Sequence, residues 1–69
     1  MTRETIAANL MAARRNRGLT RGQLSLKTGL NVRQLVQYET GEHTPGAINL
    51  ALMARALRVS SDRLLGLDQ

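Results

Sequence analysis

The sequence predicts an all-α domain, a bundle of five short helices, on three observations. Apolar residues recur at three- and four-residue intervals, and no segment alternates with period two over a strand's length. Glycines at 18, 29, 41 and 66 each fall where such a pattern stops, the place where a chain leaving a helix turns through a left-handed conformation. Aromatic residues amount to 1%, meaning Tyr38 alone, so the core must be Leu, Ile, Met, Val and Ala. That composition suits packed helices better than a sheet.

The first helix is expected over 3–17, with Ile6, Leu10 and Ala13 as its inward stripe and Gly18 at its end. Thr20-Arg21-Gly22-Gln23 has the T-x-x-Q form of a capping box and opens a second helix over 21–28, where Leu24 and Thr28 face inward. Asn31-Val32-Arg33-Gln34 repeats the logic with Asn as the cap, opening a third over 32–40 with Leu35 and Tyr38 inward. Thr44-Pro45 places proline at the first position of a fourth helix over 45–57, lined by Leu50, Met53, Ala54 and Leu57. Ser60 caps a last short helix over 61–65, with Asp62 favourable in its first turn. Val59, Leu64 and Leu65 complete the core; Met11 and Met53 read as core and Met1 as the start.

At 69 residues the chain is expected to be one domain over 1–69, small enough to bury only about 60% of its unfolded surface. It contains no Cys and one His, too few soft ligands for a structural zinc, and no metal or cofactor is expected. No run approaches a membrane span and no signal-peptide core opens the chain, so the expected compartment is the cytoplasm. An enzyme is the weakest reading, because the single His lies in a loop and the few acids show no pairing suited to acid–base work.

The net charge is +5, which favours a polyanionic partner. Residues 1–41 carry seven basic residues against two acidic ones; residues 42–69 carry three of each. The basic surface is therefore expected in the first half. A basic amphipathic helix on a membrane fits poorly, since the bases are divided among helices with other tasks.

The stretch GLNVRQLVQYETG is a short helix between two glycines. Around its inward pair, Leu35 and Tyr38, stand Val32, Arg33, Gln34, Val36 and Gln37, an odd mixture for a face meant only for water. The turn that precedes it, Gly29-Leu30-Asn31, is so tight that the second and third helices must cross steeply, as in a helix-turn-helix. An ordinary helix hairpin is the competing reading from spacing alone.

LTRGQLSLKTGLNVRQLVQYETGEHTP, followed by LALMARALRVSSDRLL, resembles the helix-turn-helix domain of phage repressors and Cro proteins over nearly the whole chain. The matching positions are Leu19, Thr20, Leu24, Gly29, Leu35, Glu39, Gly41, Pro45, Ala54, Leu57, Val59, Ser60, Leu64 and Leu65. The resemblance implies a five-helix fold of the lambda-repressor-like type in a bacterial or phage-encoded, nucleoid-associated protein. It also implies a helix-turn-helix at 21–40 whose third helix enters the DNA major groove, usually as a two-fold dimer. There are departures. Gly22 stands where a better helix former is usual and costs up to about 1 kcal/mol relative to Ala. Arg21 replaces a common Gln, and Glu42 stands where a basic residue is common, weakening that loop as a phosphate clamp.

By the resemblance, Asn31, Val32, Arg33 and Gln37 occupy base-contacting positions. Arg33 can bond guanine bidentately, Gln37 can pair with adenine, and Val32 or Val36 can meet a thymine methyl. Val36 is as well explained by packing against helix 2, and Gln34 by capping. Phosphate candidates are Arg14, Arg15, Arg17, Arg21, Lys27, Thr40 and His43, although a run such as Arg14-Arg15-Asn16-Arg17 is most often a solvated face and His43 a solvated loop residue. The resemblance also pairs Arg14 with Glu39. Ile48, Ala51 and Leu52 lie off the fourth helix's stripe and are candidates for a dimer or partner surface; single exposed apolar residues are also ordinary. The expected function is sequence-specific binding of double-stranded DNA by a transcriptional repressor, a homodimer at least on a palindromic operator. An antitoxin-like module that binds a partner protein as well as its own operator is the alternative.

Overall fold

The computed structural model describes residues 2–67; Met1, Asp68 and Gln69 lie outside the described residues. Five α-helices follow one another: α1 (Arg3–Asn16), α2 (Arg21–Thr28), α3 (Val32–Thr40), α4 (Ala47–Leu57) and α5 (Ser61–Leu65). No strand occurs among the described residues. α1 packs against α3 and α5, α2 against α3 and α4, and α4 against α5.

Local side-chain chemistry sets the helix starts. Thr20 accepts from the Gln23 N–H while Gln23 accepts from the Thr20 N–H, and Asn31 and Gln34 repeat the exchange. Each reciprocal pair satisfies two backbone donors that a helix end leaves without partners. Ser60 caps α5 through the Arg63 N–H at 3.0 Å, and Thr2 caps α1 through the Thr5 N–H at 3.1 Å.

α4 departs from expectation. Pro45 is not its first residue: the helix begins at Ala47, behind a Gly46 cap that makes no side-chain bond. Gly46 is extended, with ψ 175°, so helical geometry cannot begin before it. Pro45 is instead a buried residue of the approach.

Two glycines show why the chain needs them where it turns. Gly29 lies at φ +80° in open space, so only its left-handed backbone excludes larger residues. Gly66 combines φ +77° with crowding, since a Cβ there would stand 2.9 Å from Thr5 Cγ2. The end of α4 breaks this pattern: Arg58 takes the left-handed position at φ 58°, where a side chain adds strain.

The buried core comprises Ile6, Leu10, Leu24, Leu30, Leu35, Tyr38, Leu50, Met53, Ala54, Leu57 and Leu64. Ala13, Val59 and Leu65 pack partly buried against it. Leu30, in the turn, and Ala7 also bury, beyond the stripes expected from spacing. The one aromatic ring ties α3 to α4, for Asn49 Nδ2 donates to Tyr38 Oη at 2.9 Å.

Candidate nucleic-acid interface

The turn between α2 and α3 is held by hydroxyl groups. Thr28 Oγ1 donates to the Leu24 carbonyl at 2.9 Å and accepts from the Leu30 N–H at 3.2 Å. Ser25 Oγ donates to the Leu30 carbonyl. With Leu30 buried between these bonds, α3 leaves the turn in one direction relative to α2.

α3 buries Leu35, Tyr38 and Glu39 and presents the remainder. Val32 is 43% exposed, Arg33 is exposed, and Val36 and Gln37 are half-buried. Among the described residues, neither Arg33 nor Gln37 makes a side-chain hydrogen bond, so both keep their donors for a ligand. Asn31 uses Oδ1 on the Gln34 N–H at 2.8 Å, which leaves its amide nitrogen available. Gln34 Oε1 accepts from the Asn31 N–H.

Behind this face lies a charged cluster. Arg14 is 7% exposed and Glu39 6%. Arg14 Nε donates to Glu39 Oε2 at 2.7 Å and Nη2 donates to Oε1 at 2.9 Å, a bidentate pair. Nη1 donates to the Leu19 carbonyl at 2.8 Å. The bond to Glu39 raises the Arg14 pKa above its ordinary value; burial lowers it, and the glutamate's charge adds to the rise. Arg14 therefore stays charged. Arg21, at the head of α2, also donates from Nε to Glu39 Oε1 at 3.1 Å, with its side chain 35% exposed. One carboxylate thus ties α1, the start of α2 and the end of α3.

The phosphate candidates divide by location. Arg15 is exposed without a side-chain partner among the described residues, Thr40 is exposed with its hydroxyl on the Gln37 carbonyl, and His43 is an exposed loop residue whose N–H also donates to the Gln37 carbonyl. Arg17 Nε donates to the Leu57 carbonyl at 2.9 Å. Arg17 and Lys27 share a cleft with Arg58 that no α3 residue lines. Nothing in the composition or spacing had grouped Arg58 with them.

The helix-turn-helix family matches residues 10–64, from the middle of α1 to Leu64 of α5. The chain belongs to that family, in its Cro/C1 type. Its fold is accordingly lambda-repressor-like, and the chain is a DNA-binding transcription regulator. No curated protein and no solved structure matches it. Within this helix-turn-helix fold, Ile48 (78% exposed) and Leu52 (38%) lie one turn apart on α4, with Ala51 exposed beside them. Spacing missed Leu26, 87% exposed on α2; its place off the Leu24–Thr28 stripe was the available signal. No described helix is long and apolar enough to cross a membrane.

Proposed function

We propose that this helix-turn-helix protein is a repressor that reads a palindromic operator as a two-fold dimer, with α3 of each subunit in the major groove. The observation that carries the reading is the outer face of α3. It presents an arginine and a glutamine one turn apart, without partners among the described residues, beside an exposed valine. Those three side-chain chemistries suit guanine, adenine and the thymine methyl respectively. The capping amide of Asn31 and the half-buried Val36 border them. Arg33 and Gln37 are the principal readers.

Arg15, Arg21, Thr40 and His43 fix the register through phosphates, and Arg14 supports them from within by holding Glu39. Contacts of this kind position a helix without reading sequence. The apolar flank of α4, made of Ile48, Ala51 and Leu52, joins the two subunits. Such a dimer acts on the bacterial or phage nucleoid, with half-sites about 34 Å apart. Selecting bound sites from random duplex DNA with the purified protein tests the whole reading. The expected product is an inverted repeat. Enrichment of a single unrepeated half-site removes the dimer, and absence of enrichment removes sequence-specific reading.

A further inference from the structure

The end of α1, the last turn of α2 and the end of α4 meet at a shallow cleft of about 250 Å³. Leu19 and Ala56 line it together with Arg17, Lys27 and Arg58. Among the described residues no carboxylate lines it, and none of the three cations belongs to an ion pair. Three like charges around one small opening repel one another, and this arrangement favours an anion that neutralises them.

Two further observations narrow the ligand. Arg17 is anchored by the bond from its Nε to the Leu57 carbonyl, which restricts where its guanidinium can stand at the cleft it lines. Arg58 occupies the one left-handed position among the described residues that is not glycine. A side chain there is conformationally unfavourable, whereas glycine would be at ease. Two guanidinium forks and one ammonium suit the several oxygens of a phosphate group, which arginine binds bidentately and lysine as a point charge.

We propose that the cleft of Arg17, Lys27 and Arg58 is a phosphate-binding site separate from the α3 face. The group arrives on a free phosphorylated molecule or on a second nucleic-acid segment; the recognition chemistry is the same. Because no α3 residue lines the cleft, the base-reading face and this site can be occupied together.

The test titrates the full chain with pyrophosphate at constant ionic strength, following backbone and arginine side-chain N–H signals by NMR. Saturable shifts are expected at Arg17, Lys27 and Arg58, with α3 unmoved. Arg58→Gly should fold at least as well, because glycine is at ease in the left-handed position, yet bind pyrophosphate tenfold more weakly or worse. Lys27→Gln should weaken it similarly, and Arg33→Ala should leave it unchanged. A second arm adds a short duplex to protein already saturated with its selected site. Capture of that duplex, reversed by pyrophosphate, assigns the phosphate to nucleic acid. Pyrophosphate binding without capture assigns it to a free phosphorylated molecule. Absence of saturable binding in both arms, or equal binding by Arg58→Gly and Lys27→Gln, overturns the proposal without touching the role of α3.

Discussion

Arg14 and Glu39, 25 positions apart, form two parallel hydrogen bonds inside the domain, at 2.7 and 2.9 Å. The pair joins α1 to the far end of α3. A buried ion pair is weak support for stability as a whole, but removing one partner leaves a charge stranded. In this domain the stranded charge would lie on the buried side of α3.

Thermal melts of Arg14→Met, Glu39→Gln and the double variant measure the pair. Glu39→Gln, which strands the buried Arg14, should cost about 3–5 kcal/mol, a large share of the roughly 5–15 kcal/mol that holds a domain folded. Arg14→Met should cost less, because Arg21 still reaches Glu39. The double variant should lose less than the sum, because no charge remains uncompensated between those two positions. Arg21→Gln should cost less than either, since Arg21 is partly solvated. Small, additive single effects would show that water already compensates both charges.

Arg33→Ala should weaken operator binding by about 1–3 kcal/mol and relax the preference at one base pair. Gln37→Ala should do the same at a neighbouring pair, one helical turn along α3. Neither should alter the melting temperature greatly, for among the described residues neither side chain has a hydrogen-bond partner. Site preferences that stay intact in both variants would remove the two residues from readout.

Much of this was legible in the sequence because the rules involved are local. Thr20 with Gln23 and Asn31 with Gln34 announce helix starts over four residues, and Gly29 and Gly66 announce left-handed turns. The outward direction of Val32 and Arg33 follows from the inward spacing of Leu35 and Tyr38. What escaped the sequence depends on distant partners or on exceptions. Thr44-Pro45 obeys the local rule for a helix start, yet the extended Gly46 delays α4 by two residues. Arg58 ends α4 left-handed without the glycine that would mark it. The link from Arg21 to Glu39 spans 18 positions and follows no period. Arg14 could be paired with Glu39 only through the family resemblance.

Salt should separate the cations by location. If Arg15 and Arg21 meet phosphates, binding falls by about 0.9 log unit per log unit of salt for each contact. Replacing either by Gln should then reduce the slope by roughly that amount and weaken all duplexes alike. Arg17→Gln and Lys27→Gln, in a cleft without α3 residues, should leave the operator slope nearly unchanged. Fluorescence anisotropy across a salt series reads all four. An unaltered slope in Arg15→Gln and Arg21→Gln would place the phosphate contacts on other residues.

The proposed dimer contact yields the last prediction. Ile48 is largely exposed on α4, with Leu52 one turn along and Ala51 between them, while the core stripe of Leu50, Met53 and Leu57 points inward. Residues 42–69 carry no net charge, whereas residues 1–41 carry all of it. A neutral apolar flank can meet its own copy across a two-fold axis without bringing the basic surfaces together. A patch of three residues in a domain this small supports only weak self-association in solution. Two linked half-sites would raise the effective concentration and make the proposed dimer firm on DNA. Leu52→Glu places a charge on the flank while leaving the buried stripe intact, so the melting temperature should hardly move. Cooperative binding to the full operator should disappear, and weak half-site binding should remain. Sedimentation with gel-shift titration reads both quantities. Undiminished cooperativity would move the two-fold contact away from Ile48 and Leu52, towards α5 and the exposed Leu67 that follows it.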